Sequence, residues 1–279
     1  MSRVYQALEK VEKEKRQKVK EETLSAIFAE EVVSGEQLPN HKYPGAEMEE
    51  SGLPSREDYS FLIPQPNSFP AEQFRNLKTR IFLHNPHSPH VILITSAVPQ
   101  EGKTTVAMNL AMAISEEINK KAILIDADLR MPSIFLKNLE KAKGLSHYLS
   151  DQVPLEEILN NSWKKNLSII PAGKPSSRAS ELIGSGKMTQ LLTFLHEFGE
   201  DTYTVIDSPP VLSASETILL SKMVDGIILV VMADRTPQGA VRKAVKALDK
   251  PKIVGVVFNQ KELKPSKYYS EYYYKYYKK

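Results

Sequence analysis

Residues 90–118 read HVILITSAVPQEGKTTVAMNLAMAISEEI: an apolar run, a short polar turn, and then a second apolar pattern with a different period. The run from Val91 to Ile94 is continuous, as in a strand covered on both faces. Beyond the turn, Val106, Leu110, Ala113 and Ile114 fall on one face of a helix that begins near Lys103. A lysine is electrostatically misplaced at that point, because the amides of a helix's first turn already carry partial positive charge. The conflict is resolved if an anion is bound between them. Gly102 permits close backbone approach, and the consecutive amides from Glu101 to Thr104 can surround a phosphate. Lys103 adds a mobile positive charge, Thr104 offers a hydroxyl to Mg²⁺, and Thr105 completes the turn. The GxxxxGK[ST] pattern is met in its second half only, since Ala97 stands at the first glycine. The bland alternative is an ordinary strand-to-helix turn with a surface lysine, which the strand and helix context disfavours.

Working outward, the same kind of apolar run recurs in AILIDAD (122–128), LSIIPAG (167–173), TYTVIDS (202–208), DGIILVVMA (225–233) and KIVGVVFN (252–259). Helical stretches lie between these runs, and AEQFRNLKTRIFL (71–83) precedes them. Continuous apolar strands alternating with helices predict an α/β fold with a mostly parallel sheet flanked by helices. No internal repeat is evident.

Ligands of such sheets gather beyond the carboxyl ends of the strands. Two further runs end there in aspartate. Asp126 and Asp128 are two apart, and side chains at that spacing share a face if the strand continues through both. Carboxylates so close repel one another and require a cation, and one beside a metal can also take a proton from an attacking hydroxyl. Either aspartate could instead simply cap the next turn. Arg130 is placed to pair with one of them or to reach phosphate. Asp207 closes TYTVID, and Pro209 and Pro210 make its exit extended and rigid. On a chain that already has a phosphate loop, it is the expected second contact to a magnesium shell. The three strand ends together predict an ATP or GTP·Mg²⁺ site. The six histidines show no metal-ligand spacing, and the single tryptophan, Trp163, reads as core.

Composition bounds the remainder. The chain has 279 residues, 41% of them hydrophobic, and no cysteine, so neither a disulfide framework nor a thiolate metal site is available. The N-terminal MSRVYQALEKVEKEKRQ lacks the apolar core of a signal peptide, and no run approaches the roughly 20 apolar residues of a membrane span. The reading is a cytoplasmic protein that meets a membrane only through a partner. Residues 1 to about 30 read as a polar helix with a narrow stripe of Val4, Leu8 and Val11, and 34–66 as a flexible linker. The expected division is an N-terminal helix and linker (1–66), an α/β domain (67–260) and a tail (261–279). The net charge of +3 resides in that tail, where six lysines face two glutamates.

These motifs resemble the bacterial tyrosine kinase family, the P-loop kinases of exopolysaccharide and capsule synthesis, over roughly residues 68–279. SAVPQEGKTT is similar to the family's Walker A motif, ILIDADLR to its second, A-prime motif, and VIDSPP to Walker B. LSIIPAGKPSSRASELI looks like its connecting segment and GVVFN like a late strand. The resemblance implies an ATP- and Mg²⁺-dependent protein-tyrosine autokinase with a P-loop NTPase-like fold. Lys103, Asp126, Asp128 and Asp207 would be catalytic, with Asp126 the base. Glu101, Gly102, Lys103, Thr104, Thr105 and, at the adenine, Asn259 would hold the nucleotide, and Thr104, Asp128 and Asp207 the metal. The tail KYYSEYYYKYYKK would supply the phosphoacceptors Tyr268, Tyr269, Tyr272, Tyr273, Tyr274, Tyr276 and Tyr277, modified in trans within an oligomer. Glu72, Arg75 and Lys78 resemble the family's Glu-x-x-Arg-x-x-Arg assembly signature, with lysine in place of the last arginine. The implied partners are a separate transmembrane polysaccharide co-polymerase that activates the kinase, a cognate tyrosine phosphatase and further copies of the chain.

Two other readings compete. A P-loop switch ATPase of the partitioning or division-site type shares the fold, but its additional loop lysine would stand at Val98. A tail of interleaved lysine and tyrosine could also contact nucleic acid, by stacking and phosphate neutralisation. Neither alternative needs seven terminal tyrosines to be phosphoacceptors.

Overall fold

A computed structural model describes residues 63–66, 68–83, 88–132, 143–162, 164–199 and 201–260. The expected N-terminal helix, Trp163 and the tyrosine tail lie outside the described residues, as does all but the end of the linker. The chain enters through helix α1 (Phe69–Leu83), then strand β1 (Val91–Ser96), α2 (Lys103–Ser115) and β2 (Lys121–Asp126). Next come the short α3 (Leu145–Leu149), β3 (Asn160–Asn161), β4 (Leu167–Ile170), α4 (Ala179–Ile183) and α5 (Gly186–His196). The last elements are β5 (Thr202–Asp207), α6 (Ser215–Met223), β6 (Gly226–Met232), α7 (Gln238–Ala247) and β7 (Ile253–Asn259).

The sheet order is β3-β4-β2-β5-β1-β6-β7. All neighbours are parallel except β3 and β4. Every residue of β1, β5 and β6 is buried, which is why those runs carry no polar alternation. Leu93, Ile125, Ile206 and Leu229 pack on one face with helices α4 to α7, whereas Ile92, Ile94, Leu124 and Val205 pack on the other with α1 and α2. Each wholly buried Ile or Leu contributes about 1.5–3 kcal/mol relative to exposure. β3 is too short for any period-two signal and was not legible; Asn160 and Asn161 pair antiparallel with Ile169 and Ser168 at the sheet's edge.

This order brings three informative strand ends together. β5 lies between β1 and β2, so the turn after β1, Asp126 and Asp207 all meet at one carboxyl-end rim.

Candidate active site

The turn after β1 depends on Gly102, whose φ of 83° is left-handed. A Cβ there would stand 2.0 Å from the Asn259 side-chain nitrogen. Both facts restrict the position to glycine. The turn is braced from below by Glu101, which is 2% exposed. Its Oε2 accepts from the Val98 amide at 2.8 Å, its Oε1 from the Met232 amide at 3.2 Å, and Thr236 Oγ1 also donates to Oε1. Asn259 Nδ2 donates to the Glu101 carbonyl at 2.9 Å. An acidic side chain inside a phosphate-binding turn would repel the ligand. Here its charge is absorbed by two backbone amides and the Thr236 hydroxyl. Asn259 is therefore a brace of the turn, and its side-chain donor is directed at Glu101.

Lys103 and Thr104 open α2 and face the aspartates. Thr104 Oγ1 donates to Asp207 Oδ2 at 2.7 Å, and Lys103 Nζ lies 3.9 Å from Asp128 Oδ2. Asp126 and Asp207 are direct partners across β2 and β5, and both are wholly buried. Burial, reinforced by Asp126 and Asp128, pushes the Asp207 carboxyl up to about 7, against the pull of Lys103 and Thr104. Its Oδ1 has no hydrogen-bond partner among the described residues. β2 ends at Asp126, so the strand does not continue through Asp128. The chain turns instead, with the Asp128 amide donating to Asp126 Oδ1 at 3.0 Å and the Met131 amide to Asp128 Oδ1 at 3.0 Å. Each aspartate thus caps a turn, as the capping alternative expected.

Arg130 reaches residues of α6 and α4. Its Nε donates to Glu216 Oε1 at 2.5 Å, and its Nη2 to Ser180 Oγ at 3.3 Å. Glu216 is 1% exposed at the first turn of α6, so the pair ties the loop after β2 to the segment after β5. Sequence reading missed Glu216, because a glutamate in a helix's first turn is ordinary and only burial singles it out. The Glu101 latch did leave a sequence signal, a negative charge in an anion-binding turn.

Glu72, Arg75 and Lys78 lie on α1, which packs on α2 away from these groups. Arg75 Nη1 donates to Glu72 Oε2 at 2.7 Å on the same helix. Lys78, 8% exposed, pairs with Glu117 just beyond α2.

An oxygen-lined rim beside a lysine and open helix amides suits a hard cation with phosphate. Oxygen ligands are present in Thr104, Asp128 and Asp207, and the unpartnered Asp207 oxygen is the kind of group a cation would satisfy. Among the described residues, no three His, Cys, Asp or Glu side chains form a metal site by themselves.

Fold and rim together define a P-loop NTPase-like nucleotide-binding protein. Residues 90–252 match the AAA domain family. The tyrosine-protein kinase YwqD of Bacillus subtilis is 32% identical over 212 residues, covering 75% of this chain and 88% of YwqD. The kinase domain of Escherichia coli tyrosine kinase ETK superposes with a TM-score of 0.64 at 26% identity, over 73% of this chain and 83% of that domain. The chimerical protein CapA2B2 gives a TM-score of 0.65 at 26% identity, over 75% and 92% of the two chains. The chain belongs to the bacterial tyrosine kinase family.

Proposed function

We propose that the protein is an ATP·Mg²⁺-dependent autokinase that phosphorylates the tyrosine cluster of its tail, between copies of the chain, in capsule or exopolysaccharide synthesis and export. The observation that carries the reading is the meeting of Lys103, Thr104, Asp126, Asp128 and Asp207 at one rim, with a buried Asp207 oxygen left without a partner. The kinase domain is taken as residues 67–260, with 1–66 as extension and 261–279 as substrate tail.

In this mechanism, the amides from Glu101 to Thr105 hold the ATP phosphates and Lys103 offsets charge on the transferred group. Asn259, whose side chain also braces the turn that presents those amides, would contact the adenine. Mg²⁺, held by Thr104, Asp128 and Asp207, would neutralise the phosphate oxygens. Asp126 accepts the tyrosine hydroxyl proton as the tyrosine oxygen bonds to the γ-phosphorus and the bond to the β–γ bridging oxygen breaks, releasing ADP. Glu72, Arg75 and Lys78 place α1 at the contact between copies, with Lys78 acting through the shape it gives α1.

Among the described residues no helix is long and apolar enough to cross a membrane. We assign activation to a separate transmembrane co-polymerase, which would hold the kinase at the inner face of the membrane, and resetting to a tyrosine phosphatase. Anti-phosphotyrosine detection on dephosphorylated full-length protein, with and without ATP·Mg²⁺ and the activator's cytoplasmic segment, tests the reading. Mixing a Lys103→Met chain with an active chain truncated after Lys264 tests direction: label on the inactive chain supports transfer between copies. No label where the intact enzyme labels itself would overturn it. A salt-sensitive gel shift with single-stranded nucleic acid, without tyrosine labelling, would favour the rival role for the tail.

A further inference from the structure

The far edge of the sheet carries a surface that the catalytic reading leaves unused. β7 is the edge strand, and its register sets Val256 beside Leu229 and Phe258 beside Val231. Leu229 and Val231 belong to the core on which α7 packs through Ala244, so Val256 and Phe258 share the α7 side of the sheet. Yet they are 44% and 66% exposed. An exposed phenylalanine beside an exposed valine at a sheet edge is unfavourable in water unless something covers it at some stage of the protein's cycle.

The surroundings are basic. From Asp234 to Lys252 there are six lysines and arginines against two aspartates. Arg242, Lys243 and Lys246 are exposed on the face of α7 opposite Ala244. Arg235 is exposed in the turn held to the end of β7 by the Ala233 amide, which donates to the Asn259 carbonyl at 2.9 Å. The strip lies at the sheet edge and the cations of α7 on that helix's outward face, on the same side of the sheet, so an extended ligand that is aromatic and anionic at once can engage both.

We propose that this surface docks the chain's own C-terminal segment, residues 261–279, once its tyrosines carry phosphate. The proposal rests on the reading of that segment as phosphoacceptor. Three observations select it over other occupants. The chain continues from Gln260, two positions after Phe258, and Tyr268 follows eight residues later. At about 3.3 Å per residue that tether spans about 26 Å, enough to return along all of β7. The segment supplies seven aromatic rings. Its charge has the wrong sign before modification, six lysines against two glutamates facing a basic surface, and the right sign afterwards, since each phosphate adds about −1.5 to −2. Docking is therefore conditional on phosphorylation. A short tether raises the local concentration to the millimolar range, so modest intrinsic affinity is enough. The outcome is removal of the product tail from active sites, its own and its neighbours'.

The test uses dephosphorylated full-length protein without ATP and a fluorescent synthetic peptide of residues 261–279, phosphorylated at Tyr272, Tyr274 and Tyr276. Because the phosphates are synthetic, the result does not depend on whether the kinase makes them. Anisotropy should show the phosphopeptide binding at least tenfold more tightly than the unmodified peptide. The triple substitution Arg242→Glu, Lys243→Glu and Lys246→Glu should weaken it at least tenfold, and Phe258→Ser several-fold, with thermal melts confirming that both variants fold. Binding that neither variant alters, or no binding at millimolar protein, would overturn the proposal. So would anionic phosphatidylserine vesicles binding through these residues while the phosphopeptide does not, an outcome that makes the surface a membrane contact.

Discussion

The two ends of the sheet handle acidic groups in opposite ways. At the amino end, Asp225 Oδ2 accepts from the His90 amide at 3.0 Å and the Val91 amide at 2.8 Å, and His196 Nε2 lies 3.6 Å away. The His90 ring stacks on Tyr203 with centroids 4.8 Å apart, and its Nδ1 is 3.2 Å from the Thr202 carbonyl. Asp225 keeps its side chain about one-third exposed, so water and backbone donors share its charge. At the carboxyl end, Asp126 and Asp207 stand side by side with no exposure, and one Asp207 oxygen has no partner among the described residues. A structural carboxylate is satisfied where it stands, whereas the rim carboxylates are held against their electrostatics by the folding energy of the strands that end in them. That imbalance supports the active site proposed at the rim.

The largest effect expected from this contrast is on turnover. Lys103→Met removes the charge that faces Asp128 and the transferred phosphoryl group, and should lower tyrosine phosphorylation on the order of 10³-fold. Asp225→Ala at the opposite end should leave kcat within about twofold. Equal losses in a radiolabelled phosphoryl-transfer assay would dissolve the distinction.

Asp207→Asn separates function from stability. Folding raises this carboxyl from 3.8 to about 7, so between those values the folded protein binds more protons than the unfolded chain. Stability therefore falls as pH rises from about 4 to about 7, and the loss is complete above the folded value. A shift of that size corresponds to on the order of 4 kcal/mol as an upper bound. Asparagine cannot ionise, so the variant should show a higher urea midpoint than the parent at pH 8, a smaller gain at pH 5, and almost no kinase activity. An unchanged midpoint across that range would show that Asp207 is not electrostatically frustrated.

Next in size is the Glu101 latch. Glu101→Ala leaves the Val98 amide without its acceptor and the Met232 amide with Thr236 Oγ1 alone, and should cost about 2–3 kcal/mol in denaturant stability while raising KM for ATP. Glu101→Gln retains part of the acceptor set and should lose less of both. If Glu101→Ala raised kcat without affecting stability, the side chain would be repelling phosphate rather than bracing the turn.

The contrast also explains what could be read from sequence. Strands β1, β5 and β6 are buried on both faces, so their apolar runs announced a parallel sheet, and the rim residues were legible because each stands at the end of such a run. The phosphate turn was legible for a different reason, a cation where helix electrostatics disfavours one. What stayed hidden depends on distant residues meeting. Arg130 finds Glu216 across 86 positions, and His90 meets Tyr203 because β1 and β5 are neighbours and His196 because α5 packs on both strands. The pair of Lys78 with Glu117, 39 positions on, is likewise invisible in the sequence of either helix. β3, at two residues, is shorter than the period that would reveal it.

The smallest expected effect lies at the amino end and tests whether it is purely structural. Asp225→Ala deletes an acceptor of two backbone amides, at the start of β1 and just before it. The His90 amide can turn to water, and only the Val91 amide, on a residue 2% exposed, is left short of an acceptor, so the loss should be about 1–2 kcal/mol, below that of the Glu101 latch. His196→Asn removes only the 3.6 Å pairing with Asp225 and the ring contact with His90, 5.6 Å between centroids, and should cost well under 1 kcal/mol. Urea midpoints at constant m-value measure both. The outcome that would break the contrast is a tenfold fall in kcat for Asp225→Ala with an unchanged midpoint. β1 carries Asp225's bonds at one end and the phosphate turn at the other, so such a result would mean that the strand transmits a displacement along its length to Gly102 and Lys103.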